Sequence, residues 1–179
     1  MSSPRPTLAT VWLDGCSGCH MSFLDMDERL LALAAQADLV YSPLVDRKDF
    51  PEHVDITLVE GSVSSEDDLA KIRKVRAHTR ILVSLGDCAI TSNIPGMRNP
   101  FGVQAVLDRA YVDNVTIPNP PPDQIVPRLL DRVRPVHEVV PVDVYLPGCP
   151  PSADLIFETV QDLIAGRTPE ANRGQRFGA

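Results

Sequence analysis

Four cysteines are the residues of this 179-residue chain best suited to chemistry, and their spacing is Cys16-x2-Cys19-x68-Cys88-x60-Cys149. Each lies in a turn that also carries glycine: Leu13-Asp14-Gly15-Cys16-Ser17-Gly18-Cys19-His20, Leu85-Gly86-Asp87-Cys88, and Leu146-Pro147-Gly148-Cys149-Pro150-Pro151. Each turn directly follows a short apolar run that reads as a strand. Three strand ends that each deliver cysteine at a glycine turn imply one thiolate cage, assembled where neighbouring strands finish.

Several chemistries use such residues. A Cys-x-x-Cys pair alone suits a thioredoxin-like redox couple, but that couple does not require Cys88 and Cys149 in matching turns. Structural zinc usually takes two closely spaced ligand couples, whereas two of these cysteines stand far from any other. Four buried cysteines can also pack simply as small hydrophobes. An iron–sulfur cluster fits the set best. Its iron takes thiolates from several backbone segments, and glycines allow close backbone approach with N–H donors to sulfur. On that reading Gly15, Gly18, Gly86 and Gly148 support the ligands. Spacing alone leaves a 2Fe–2S and a 4Fe–4S cluster undecided.

Neighbouring polar residues need a weighing of their own. His20 opens a helix beside the second cysteine; with four thiols completing the cage, it reads as a contact at a partner interface. Glu60 ends the third strand near the cage, where it either caps a helix or acts beside the cluster. Met97, Arg98 and Asn99 follow Cys88 and read as partner contacts or solvated loop.

The elements that must position these residues alternate. Thr7 to Leu13 is an apolar, β-branched strand, and Met21 to Ala37 a helix with one stripe at Phe23, Met26, Leu30, Leu33 and Ala37. Strands follow at Leu39 to Leu44 and Val54 to Val59. Ser64-Ser65-Glu66-Asp67-Asp68 then marks a helix start, with a hydroxyl cap and acids in the first turn, and the helix runs to about Ala77. Arg80 to Leu85 is the strand that delivers Cys88. Phe101 to Arg109 reads as a short helix. Ile117 to Pro151 holds 10 of the 17 prolines, which predicts an irregular excursion with one short helix near Pro127 to Val133. Val142 to Leu146 delivers Cys149, and Ser152 to Ala165 closes as a helix before Gly166. This order predicts an α/β fold with a doubly wound, mostly parallel sheet and its site at the strand C-terminal ends. Residues 1–179 form one domain on this reading, with a polar tail from about residue 168.

Composition removes several classes of function. The net charge is −7, and no block of Lys or Arg is present to neutralise phosphates, so nucleic acid is an unsuitable partner. No run of 18 apolar residues exists to span a membrane. The N-terminus shows neither a secretory signal pattern nor a twin arginine, and the expectation is a cytoplasmic setting with reduced thiols. No G-x-G-x-x-G or phosphate loop appears, so the chain offers no nucleotide fingerprint.

Glu60-Gly61-Ser62-Val63, Leu85-Gly86-Asp87-Cys88-Ala89 and Pro141-Val142-Asp143-Val144-Tyr145-Leu146-Pro147-Gly148-Cys149-Pro150-Pro151 resemble the small subunits of nickel–iron hydrogenases. They also resemble the cluster-bearing 20 kDa-type subunit of respiratory complex I. The resemblance covers about residues 7 to 165. Complex I relatives carry two adjacent cysteines at the first site, whereas Cys16-Ser17-Gly18-Cys19 is the hydrogenase arrangement. The short form is similar to the small subunits of soluble, NAD-reducing hydrogenases. That resemblance implies a flavodoxin-like fold and one 4Fe–4S cluster on Cys16, Cys19, Cys88 and Cys149. It places the nickel–iron centre on a large partner subunit, and the NAD site on flavin- and iron–sulfur-containing diaphorase subunits. The implied role is electron relay. Alternatives are a small subunit of a sulfhydrogenase or deazaflavin-reducing hydrogenase, a zinc-stabilised interaction protein, or a flavin-binding module, although no motif supports FMN.

Overall fold

The computed structural model describes residues 5–117, 120–122 and 124–169. Its main sheet holds β1 (Thr7–Trp12), β2 (Asp38–Tyr41), β3 (Val54–Glu60), β5 (Thr79–Leu85) and β7 (Val144–Leu146), all parallel, in the order β2-β1-β3-β5-β7. Counting only these five strands, the order is 2-1-3-4-5, that of flavodoxin-like sheets. A separate antiparallel ribbon pairs β4 (Val63–Ser65) with β6 (Leu129–Arg134).

Alternation along the strands divides the core in two. Leu8, Ile56, Leu58, Val83, Leu85 and Leu146 face one side, covered by α1 (Gly18–Leu24), α2 (Arg29–Gln36) and α7 (Ala153–Ile164). Val11, Leu13, Val59 and Leu82 face the other, covered by α3 (Glu66–Ala77) and residues around Val136 and Val140. The register aligns Leu8 with Ile56, Thr10 with Leu58, and Trp12 with Glu60. It also aligns Glu60 with Leu85. Glu60 therefore ends an apolar column on the α1 face, as a buried carboxylate where a hydrophobe would be ordinary.

Local chemistry explains the helix starts. Ser65 caps α3, accepting from the Asp68 backbone N–H while Asp68 accepts from the Ser65 N–H, a complete capping box with Glu66 and Asp67 beside it. The Ser152 hydroxyl accepts from the Leu155 N–H at the start of α7.

Several expectations need correction. The helix expected from Met21 to Ala37 is two, because Asp27 takes φ 50°, which Asp tolerates better than most residues, and turns the chain between α1 and α2. The apolar stripe is nevertheless buried at Phe23, Met26, Leu33 and Ala37. The helix expected near Pro127 to Val133 is instead strand β6, whose pairing with β4 overrides local propensity. Two elements in the loop after β5 carry no clear pattern in the sequence: α4 (Gly86–Thr91) and α5 (Asn93–Gly96). The short helix near residue 101 is α6 (Val103–Asp108), continued by a π turn over Arg109–Asp113. The polar tail beyond Pro169 lies outside the described residues.

Candidate functional site

The strand C-termini carry the site. Cys16 and Cys19 lie between β1 and the first turn of α1, Cys88 in the first turn of α4 after β5, and Cys149 in the turn after β7. All four thiols line one hollow of about 50 Å³, together with Gly18, Glu60, Asp87, Gly148 and Pro150. The sequence placed these thiols together, and the fold brings them there at the β1/β3 switch point, where the strand order reverses.

Backbone ties hold the turns in register. The Leu13 N–H donates to Glu60 O (2.9 Å), and Asp14 and Ser62 exchange N–H···O bonds of 3.1 and 2.7 Å. These join the first cysteine turn to the end of β3. The Asp87 carboxylate accepts from the Gly148 N–H (2.8 Å), while the Asp87 N–H donates to Gly148 O (2.9 Å). That reciprocal pair joins the Cys88 and Cys149 turns. The Ser22 hydroxyl donates to Pro151 O (2.5 Å) and ties α1 to the same turn.

The glycines permit close approach. A Cβ on Gly86 would lie 2.2 Å from the Cys19 sulfur, and its φ of 80° already favours glycine. On Gly61 a Cβ would meet the Leu13 carbonyl carbon at 2.7 Å, so the bridge between β1 and β3 also requires glycine. Gly15 packs against Gly61, Gly18 against the Cys16 sulfur, and Gly148 against Pro151.

Hydrogen bonds to sulfur are present as well. The Gly18 N–H donates to Cys16 Sγ, and Asn93 Nδ2 donates to Cys149 Sγ, each at 3.4 Å. Nothing local in the sequence marks Asn93 or Asp87 for the site, because each lies in a turn whose partner is far along the chain.

Burial pushes the Cys19 thiol well above its ordinary pKa, and the charges of Glu60 and the other three cysteines push it further. Burial also raises Cys88, against the pull of the Ile94 N–H. Several thiolates crowded beside a carboxylate would need compensating positive charge, which a bound metal group would supply. A single zinc ion would draw its four sulfurs to within about 4 Å of one another. Among the described residues no three His, Cys, Asp or Glu gather closely enough to hold one ion. The donor set, the hollow it surrounds and the glycine that makes room for Cys19 fit a multi-atom cluster.

Glu60 is 1% exposed and adjoins the thiols. Its carboxylate accepts from the His20 N–H at 2.9 Å and from the Cys19 N–H at 3.4 Å, and it also contacts His20 Nδ1. His20 is 5% exposed, so the expected partner-interface role is corrected: its ring is buried between Glu60 and Thr10. Arg98 and Asn99 are corrected too. Arg98 donates to Ser64 O and Leu130 O, and Asn99 exchanges hydrogen bonds with the Val133 backbone, so both pin the loop after Cys88 to the ribbon. Met97 remains exposed.

A parallel sheet in flavodoxin order with four thiols on one hollow at its switch point defines the class, an α/β protein whose candidate site lies at the strand C-termini. The chain belongs to the family of the 20 kDa subunit of NADH ubiquinone oxidoreductase, whose model matches residues 16–163. It is 44% identical over 165 residues to the delta subunit of the NAD-reducing hydrogenase HoxS of Cupriavidus necator, covering 89% of this chain and 79% of that one. It is 38% identical to one subunit of the F420-non-reducing hydrogenase of Methanothermobacter marburgensis, covering 91% of this chain but 54% of that one. Among solved structures, a chain of an NAD+-reducing [NiFe]-hydrogenase in the H2-reduced state superposes with a TM-score of 0.89 at 42% identity. That match covers 94% of this chain and 96% of the other.

Proposed function

We propose that this chain is the electron-relay small subunit of a cytoplasmic nickel–iron hydrogenase, acting as one iron–sulfur-binding domain. Cys16, Cys19, Cys88 and Cys149 are the ligands of one 4Fe–4S cluster in this reading. Electrons from the hydrogen-splitting centre of a large partner subunit pass through this chain toward an NAD-reducing diaphorase. The observation that carries the reading is the gathering of all four thiols on one hollow by three separate strand ends. The relatives support the choice of acceptor, since the NAD-reducing hydrogenases match this chain over more of their own length than the F420-non-reducing hydrogenase does.

A bound cluster would supply one-electron redox chemistry. The chain's own residues would position it and set its potential. N–H groups of Gly18 and Asn93 spread the negative charge of the Cys16 and Cys149 sulfurs, which favours the reduced state. The Glu60 carboxylate opposes further negative charge, and the amides of Cys19 and His20 moderate it. Cys16 and Cys149 are exposed, and so is Ile94, whose N–H reaches Cys88, which leaves this end of the cage open to a partner subunit. Among the described residues no helix is long and apolar enough to cross a membrane.

A flavin-binding module is the rival from another class. The hollow of about 50 Å³ is far below the roughly 300–1,000 Å³ of organic-ligand pockets, which disfavours flavin at the switch point. The test is to purify the chain with its partner subunits and measure iron, acid-labile sulfide and hydrogen-dependent NAD reduction. Replacing any one of the four cysteines by Ala should remove the cluster and abolish the coupled reaction. A variant that keeps full iron and full coupled activity would refute the four-thiolate assignment.

A further inference from the structure

A line of buried side chains runs from the thiol hollow into the sheet edge, and neither the ligand set nor the backbone ties explain it. Glu60 touches His20 Nδ1; His20 Nε2 lies 3.0 Å from the Thr10 hydroxyl; Thr10 donates to Ser42 Oγ at 2.8 Å. Ser42 Oγ in turn accepts from the Leu44 N–H at 3.2 Å. Thr10 is 1% exposed and Ser42 3%. Thr10 points to the α1 face of the sheet because it alternates with Val11 and aligns with Leu58 in β3. An apolar residue would fill that central position in an ordinary parallel sheet. The hydroxyl there joins the His20 ring to Ser42.

We propose that Thr10 and Ser42 are positioning residues for the redox site, acting through the His20 ring on the orientation of the Glu60 carboxylate. With both ring nitrogens held, the imidazole cannot rotate away from Glu60. The carboxylate then stays against the Cys19 and His20 amides, where its negative charge is partly compensated beside the hollow. Loss of the Thr10 hydroxyl leaves Nε2 without a partner, frees the ring and uncovers that charge. A less compensated carboxylate disfavours an added electron, so the potential of the group held by the thiols falls.

This inference rests on the cluster reading above, and its test separates the two. The full chain, purified in complex with its large subunit, is examined as wild type, Thr10→Val, Thr10→Ser and Ser42→Ala. Iron and sulfide content, thermal stability, and the midpoint potential and paramagnetic resonance line shape of the cluster are measured. Thr10→Val keeps the shape of the side chain and should keep the cluster. At a fixed poise its reduced-to-oxidised ratio should fall about tenfold, equivalent to 59 mV for a one-electron couple, with a broadened reduced spectrum. Thr10→Ser should restore both readouts, and Ser42→Ala should shift them the same way by less. If Thr10→Val proves too unstable to load, Ser42→Ala and Thr10→Ser carry the decision. Loaded Thr10→Val or Ser42→Ala with an unmoved or raised potential would overturn the positioning role alone. A wild-type complex without iron and sulfide would overturn the cluster reading, and this inference with it.

Discussion

Replacing Gly86 by Ala tests whether the cage geometry is set by the backbone of α4. The added Cβ would lie 2.2 Å from the Cys19 sulfur, and Cβ contacts under 3.0 Å essentially do not occur, so the sulfur must retreat by at least 0.8 Å (3.0 − 2.2). Metal–ligand distances hold only to within about 0.2 Å, so Cys19 cannot satisfy both the methyl group and a cluster. Gly102 supplies the control. Its φ is 78° against 80° at Gly86, but a Cβ there meets nothing within 4 Å. Gly102→Ala should therefore carry only a backbone penalty, about 1–3 kcal/mol, for a φ of 78° and ψ of 164° that glycine alone adopts readily. Gly86→Ala carries its own positive-φ penalty plus about 1–3 kcal/mol of overpacking. The assay compares thermal unfolding, iron and acid-labile sulfide for the two variants in complex with the partner subunits. Gly102→Ala should keep its cluster, and Gly86→Ala should lose most of it while the fold survives. Equal cluster content in the two variants would refute the argument.

Two further outcomes follow from the ties and charges around the strands. Asp87→Ala removes the acceptor for the Gly148 N–H and should lower stability by about 1–3 kcal/mol and loosen the Cys149 turn. Asp87→Asn keeps an oxygen there and should lose less, as melting curves and iron content would show. At Asp55 burial opposes ionisation, but hydrogen bonds from the Thr7 N–H and hydroxyl and the nearby Arg80 guanidinium outweigh it and hold the carboxyl below its usual range. Its folded pKa lies below its unfolded one, so the stability it contributes is present at neutral pH and is lost as pH falls from about 4 through the folded value. Asp55→Asn should flatten the fall in melting temperature below about pH 4 relative to wild type; an unchanged slope would remove Asp55 from that account.

The thiol cage was legible because its signal is local: glycine and cysteine at the ends of apolar runs, repeated three times. The sheet was legible for the same reason, since Val54 to Val59 and Arg80 to Leu85 are apolar runs bounded by turns. What escaped depends on pairing across the chain. Leu129-Leu130-Asp131-Arg132-Val133-Arg134 suits a helix by composition, and only Val133 is deeply buried in it. Its partner Val63–Ser65 lies more than 60 residues earlier and decides for strand. Helix α4 has six residues, too few to show a period. His20 looked exposed beside a full set of ligands, and only the register that sets Thr10 and Glu60 on one face shows the pocket that buries it.

The cage is held mainly by polar ties between loops, and this decides where it is vulnerable. The apolar core fixes β1, β3, β5 and β7 side by side and takes in Cys19, but along the strands it ends at Leu13, Leu85 and Leu146, before the other cysteine turns. Beyond that line the turns are set by the Asp14–Ser62 bridge, the Asp87–Gly148 pair and the Ser22–Pro151 bond. Each contributes about 1 kcal/mol net, little beside the core, yet each fixes the distance between two turns of the site. A core substitution should therefore lower stability without altering the site, as long as the sheet persists. A tie substitution should do the reverse, moving a sulfur at a far smaller cost to the melting curve. The separation follows from the fold: hydrophobic area positions strands to within a residue, and hydrogen bonds position their ends to fractions of an ångström.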